Sequence, residues 1–165
     1  MILMELRSES EWEEIVARFG ETISMTACLI DAGGANPRFC HPERSALCAA
    51  IRDNDEAATF ICSRVNVAML AVARKTLRPL VEMCDAGLLR VVVPVVDDGE
   101  QVGQVVACGL ASADEDEEIE AFLVSRQLGI SEEEVLELAR STPSATEEEL
   151  LQHAAELFAR LHPDL

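Results

Sequence analysis

The six cysteines are the residues of this 165-residue chain best equipped for chemistry. A thiolate can ligate a soft metal, carry redox chemistry or act as a nucleophile. Cys48 and Cys62 fall in segments of helical periodicity, and Cys84 and Cys108 fall at the ends of apolar strands. No C-x-x-C pair occurs, so the zinc-ribbon and thioredoxin patterns are absent. Free cysteines otherwise serve as small buried hydrophobes. Cys62, Asn66 and Met69 stand at i, i+4 and i+7, which places a thiol, an amide and a thioether on one helical face. That is a soft-ligand surface, although Met at this spacing is more often core.

Other reactive patterns are weak. Of the three histidines, His41 neighbours Cys40 in a loop, and adjacent side chains need not meet. His153 and His162 belong to the last, surface-like helix or follow it. There is no serine elbow, phosphate loop or metalloprotease helix. Carboxylates occur in runs, as over residues 114–118, that read as solvated. The chain is therefore not expected to be an enzyme.

The elements that must position these residues centre on residues 84–110. Cys84-Asp85-Ala86-Gly87 is a turn in which glycine permits close backbone approach. Two valine-rich strands follow, over 89–96 and 101–106, with Asp98-Gly99 as a two-residue hairpin signal between them. Gly103 and Gly109 either leave room on the sheet face for a ligand or mark bulges. Upstream, Ser8 or Ser10 caps a helix through Phe19, residues 22–31 read as a strand, and Gly33-Gly34 ends it. A helix from Pro42 or Glu43 to Arg52 precedes a longer one over 55–75, expected to be the central buried helix. Leu80 to Cys84 is a short strand. Downstream, helices are expected over 117–128, ended by Gly129, then after the cap Ser131, then from Thr146 to about Leu161. Helix, strand, helices, three strands, helices is α+β: an antiparallel sheet covered by helices, in one domain over 1–165.

The formal charge is −18. Residues 114–165 hold 15 Asp and Glu against 3 Arg, so −12 of it lies in an acidic helical C-terminal tail. Acidity excludes nucleic-acid binding, which needs a basic face. It fits a solvated helix surface better than an acidic docking surface. Apolar runs fall short of the ~20 residues of a membrane span. No basic and then apolar leader opens the chain, so the thiols are expected in a reducing, cytoplasmic compartment.

The run LCAAIR at residues 47–52, then Cys62 on a helix, then PLVEMCDAGLLRVVVPVVDDGEQVG at 79–103, resembles the PocR ligand-binding sensory domain. FLVSRQLGISEEEVLELARSTPSATEEEL resembles that family's helical tail, so the resemblance runs from about Leu6 to Leu161. No single motif is highly specific; their order and spacing carry the resemblance. It implies a PAS-like or GAF-like fold and a sensor of small hydrocarbon derivatives that feeds a signalling or transcriptional output. Residue by residue it implicates Cys48, Cys62, Cys84, Asp85, Gly87 and the strand around 106–110. Where many relatives have Gly-Gln, this chain has Ala107-Cys108-Gly109-Leu110. That departure weakens a polar ligand contact there and adds a fourth thiol.

Two mechanisms follow from the resemblance. In the first, an apolar pocket binds a small molecule through Cys62, Asn66, Met69, Cys84, Asp85, Gly87, Cys108 and Gly109, and the terminal helices pass the change to a separate signalling output protein. A homodimer is also compatible with this arrangement. In the second, Cys48, Cys62, Cys84 and Cys108, with Cys40 in reserve, hold an iron–sulfur cluster or Zn as a metal or redox sensor. A weaker third reading is a non-catalytic acidic adaptor. With no output domain beside it, the chain is expected to be a stand-alone sensor or a fragment.

Overall fold

A computed structural model describes residues 2–34, 36–40, 45–114 and 117–165. The sheet is built around β3 (Leu88–Asp97) and β4 (Glu100–Ser112). Asp98 and Gly99 both take positive φ, 49° and 78°, as a tight hairpin turn requires. β1 (Thr26–Asp31) adds to the outer side of β4 and β2 (Leu80–Met83) to the outer side of β3, so the order is β1-β4-β3-β2, all antiparallel. β5 (Ser144–Ala145) is a two-residue parallel addition to the far end of β4. The expected α+β, PAS/GAF-like antiparallel sheet is the one found.

Helices cover both faces. One face packs on α1 (Ile2–Leu6), α2 (Glu9–Ile23) and α7 (Glu147–Leu161). Leu3, Trp12, Val16, Phe19, Leu150 and Leu157 meet Leu29, Val91, Val93 and Val105 there. The other face packs on α3 (Ala46–Arg52), α4 (Asp55–Thr76), α5 (Ala121–Leu128) and α6 (Glu132–Ala139). Coverage on both sides explains why residues 88–95 of β3 are buried without interruption and why valine fills them without alternation.

Capping places the helices as their sequences imply. Ser8 and Thr146 form reciprocal capping boxes with Glu11 and Glu149, and Ser131 accepts from the Glu134 backbone. Gly129 takes the left-handed conformation that ends α5. Several boundaries differ from expectation. α2 runs four residues past Phe19 and closes on Ser24 in the left-handed region, so β1 begins at Thr26 rather than Thr22. α5 begins at Ala121, because residues 117–120 are pulled across the Gly87 turn, with Glu120 N donating to Ala86 O at 2.9 Å. β4 extends to Ser112, and α1 was not foreseen. The start of α3 at Pro42 or Glu43 and His41 lie outside the described residues, as do residues 115–116 of the acidic run; described helix begins at Ala46, capped by Ser45.

Two corrections bear on function. α4 is not a buried central helix: only 28% of its most apolar stretch is covered. Met69, Leu70 and Ala73 face the sheet, while Phe60, Val67 and Val72 face outward. Contrary to the count of apolar runs, α4 at 22 residues is long and apolar enough to cross a membrane by length and composition alone. Near its N-terminus, Ala58–Ser63 is a π-helical stretch, a feature that often marks functional sites. The second correction is that Cys40 is joined to Cys28 in a disulfide, so it is no reserve ligand.

His162 ties α7 to the central hairpin. It is 8% exposed, and its Nε2 accepts from Val96 N at 2.9 Å while Nδ1 lies 2.9 Å from Phe158 O. Burial, reinforced by the nearby Arg7 charge, holds its pKa below the ordinary 6.5, against the pull of the Phe158 carbonyl. The folded state therefore refuses a proton that the unfolded chain accepts. Its contribution is intact above pH 6.5 and declines as pH falls below that value. In chemical denaturation, His162→Ala is expected to cost about 1–2 kcal/mol at neutral pH and to remove this part of the pH dependence. An unchanged profile between pH 7 and 5 would contradict the assignment.

Candidate ligand-binding site

The four cysteines outside the disulfide border one cavity. Cys48, Cys62, Cys84 and Cys108 all line one narrow cavity of about 30 Å³ between the sheet and helices α3 and α4. Cys48 sits in the first turns of α3, which Ser45 caps from below at 3.3 Å. Ser45 Oγ also lies 3.2 Å from Thr142 Oγ1, joining α3 to the segment ahead of β5. Cys62 and Ile61 reach the cavity from the π-helical stretch of α4. Cys84 enters from the turn after β2, held by its backbone N–H to Leu88 O at 2.8 Å. Ile51, Val65, Leu88 and Leu89 complete an almost wholly apolar wall.

A bulge brings β4 into the site. Leu89 pairs with Leu110 but Arg90 pairs with Cys108, so Gly109 is left without a partner on β3. Its φ of 97° is one that glycine tolerates, and Cys108 and Gly109 thereby both line the cavity. A Cβ on Gly109 would lie 3.1 Å from Cys48 Sγ. Of the two readings offered for Gly109 the bulge is the one found, and the space beside it is taken up by Cys48 and Ser45 rather than left for a ligand. Gly103 makes room for Leu3 of α1 on the opposite face, not for a ligand.

The other expected site residues divide. Asn66 stands beside the cavity and accepts from Arg90 Nη2 at 2.6 Å. Met69 points to the core of Ile30, Val92 and Val106 rather than to the cavity. Asp85 faces outward and pairs with Arg64 at 3.5 Å. Gly87, at φ 82°, admits the chain's own residues 118–120: a Cβ there would strike the Glu118 carbonyl and come within 3.0 Å of Glu120 N. The close approach expected at this turn is intramolecular.

Sequence reasoning missed two arginines. Arg52, in the last turn of α3, donates to Cys108 Sγ at 2.7 Å. Arg90 lies within the buried stretch of β3, only 9% exposed, and lines the cavity. A signal for it was present, since a charge inside LLRVVV contradicts a strand buried on both faces.

Burial pushes the Cys62 thiol up; Cys108 and Cys84 push it further, and Arg52 and Arg90 oppose them. Cys84 is also pushed up by burial, while hydrogen bonds from the Leu88 and Ala86 backbone pull the other way. Both thiols are therefore protonated at neutral pH and poor nucleophiles. Four soft donors in one cavity are a metal-binding set by type. By distance they are open: no three of these sulfurs lie within 4.8 Å of one another. Among the described residues only carboxylates of Asp114, Glu117 and Glu147 form such a group. Tetrahedral Zn²⁺ would draw its sulfurs to about 3.8 Å from one another.

An antiparallel sheet covered by helices, with a small apolar cavity between sheet and helices, is the architecture of a PAS/GAF-like sensor domain. The family model described as the sensory domain found in PocR matches residues 5–162, nearly the whole chain, and the chain belongs to that family. Membership carries a ligand-sensing role in signalling and fits a non-catalytic one. Comparison with the curated proteins gives no match.

The bulge offers a direct test of the site's construction. Gly109→Ala is expected to cost about 1–3 kcal/mol in denaturant unfolding, from the positive φ and the approach of Cys48. Adding Cys48→Ala should recover part of that loss, read as a coupling in a double-mutant cycle. Strict additivity of the two changes would show that α3 does not rest on the bulge.

Proposed function

We propose that this protein is a cytoplasmic small-ligand sensor of the PocR type, whose ligand occupies the cavity between α3, α4 and the β3–β4 hairpin. The observation that carries this reading is the convergence of Cys48, Cys62, Cys84 and Cys108 with Arg52 and Arg90 on one apolar cavity. A mostly apolar site with a few placed polar groups suits small hydrocarbon derivatives. At about 30 Å³ the cavity is far below the size of an ordinary drug-sized site, so the ligand is very small or the wall moves. The π-helical stretch bearing Ile61 and Cys62 is the element best placed to move. A shift there would travel along α4, whose outer face carries Phe60, Val67 and Val72 toward a separate output protein or a second copy. Four cysteines outside a disulfide are ordinary in the cytoplasm, and the Cys28–Cys40 disulfide is not.

A panel of small alcohols, diols and acids at millimolar concentration tests the reading. At least one is expected to raise the melting temperature, by a free energy of about 2.7 kcal/mol at a hundred times its Kd. Val65→Phe, which fills the cavity, should abolish that shift. A panel that leaves the melting temperature unchanged would remove the reading.

The same four thiols favour a second reading, in which they close around Zn²⁺ or an iron–sulfur cluster. Protein purified without oxygen would then contain zinc or iron by elemental analysis, with visible absorbance if a cluster is present. Metal-free, colourless protein whose four thiols are all readily alkylated would exclude it.

A further inference from the structure

The cavity holds one charged group that the fold leaves unanswered. Arg90 is buried, and its Nε is fully enclosed with no hydrogen-bond acceptor. Only Nη2 is engaged, by the neutral amide of Asn66. None of the ion pairs among the described residues includes Arg90. Among the described residues no carboxylate lines the cavity, and the other charged side chain there, Arg52, is also a cation. A buried guanidinium without a countercharge is costly, because water no longer solvates it and nothing replaces that solvation. Cys62 and Cys84 do not supply the charge, since burial keeps both protonated.

We propose that the cavity takes a short-chain monocarboxylate, with its carboxylate toward the Arg90 guanidinium and its alkyl end against Ile51, Ile61, Val65 and Leu88. This rests on the reading of the cavity as the sensor's ligand site and names the class of ligand. Three features select it. A planar guanidinium matches a carboxylate in shape and charge, and the hydrogen bond formed is charge-assisted. The almost wholly apolar wall disfavours a strongly hydrated dianion such as phosphate and suits a hydrocarbon tail. The cavity volume of about 30 Å³ restricts the tail to a few carbons. Asn66 becomes a positioning residue, holding the guanidinium at the cavity through Nη2.

The test compares propionate with its neutral isosteres propionamide and 1-propanol, by calorimetric titration of the full chain at constant ionic strength. Propionate is expected to bind at least tenfold more tightly than either neutral compound. Its affinity should fall as pH drops below the acid's own pKa, while that of 1-propanol stays level; this arm needs no variant. Arg90→Met should lose at least tenfold in propionate affinity and keep 1-propanol binding, with Arg90→Gln as a substitute if the Met variant does not fold. Equal binding of acid and isosteres overturns the carboxylate assignment but leaves the cavity as a ligand site. So does unchanged propionate binding by the Arg90 variants, or equal stabilisation by chloride or sulfate. If none of the three compounds binds, the assignment is overturned. If the wider panel of alcohols, diols and acids is silent too, the ligand-site reading falls with it.

Discussion

Strand β3 is buried on both faces over residues 88–95, and the rest of the molecule is arranged to keep it so. A strand in that position can donate and accept only along its edges, so β2 and β4 must flank it. Its side chains can meet only apolar neighbours, so α2 and α7 must close one face and α3 and α4 the other. Val91, Val93 and Val95 satisfy this on the first face and Leu88 and Val92 on the second. Arg90 violates it. A charge in this position is tolerated only because the second face is not filled: between β3, α3 and α4 lies the cavity, and the guanidinium lines it. The site is thus the place where the core's own rule is broken, and such local conflicts concentrate at functional positions.

The bulge at Gly109 is what turns the break into a site. Without it, β4 would alternate regularly and present one side chain to each face in turn. With it, Cys108 and Gly109 both line the cavity before Leu110 returns to the opposite core. The missing side chain at Gly109 lets Cys48 descend to the sheet, and α3 with it, so one wall of the cavity rests on a single absent Cβ. The opposite wall is the π-helical part of α4, where backbone register is least regular. One wall is therefore fixed by close approach and the other is built from the element most able to shift.

Much of this was legible in the chain. Valine-rich strands around Asp98-Gly99 gave the hairpin, and the caps Ser8, Ser131 and Thr146 gave helix starts. Strand ends, helix faces and the family's pattern made a common site for Cys48, Cys62, Cys84 and Cys108 conceivable, but that all four line one cavity is decided by the fold. What escaped was set by tertiary partners. Residues 117–120 have helical composition, yet their contacts with the Gly87 turn keep them out of a helix. The apolar look of α4 suggested burial, but a sheet covers only one face of a helix, and Val67 and Val72 lie on the other. Pairing of Cys28 with Cys40 depends on how the loop after β1 returns to it, through the Leu29–Arg38 bridge, which no local pattern encodes. Met69 fits the rule stated for it: helical spacing found the right face, but one turn beyond Asn66 that face has already passed from the cavity to the core.

The acidity of the chain sharpens the meaning of the cavity. At −18 overall, the protein has ample carboxylates to pair with a buried arginine, and among the described residues none forms an ion pair with Arg90. Its nearest hydrogen-bonding partner is the uncharged Asn66. If Arg90 were only structural, a glutamate in place of Asn66 would neutralise it and close the cavity; the chain instead fixes the guanidinium and leaves its charge unspent. The acidic tail does not supply the missing counterion at a distance either, because exposed charges farther than about 8 Å are screened at physiological salt. Long-range repulsion by the surface is screened by the same salt, so an anion reaching the cavity mouth meets the local field of Arg90 rather than the net charge of the protein. Surface acidity and an anion-seeking interior are in this way compatible, since each acts over its own distance.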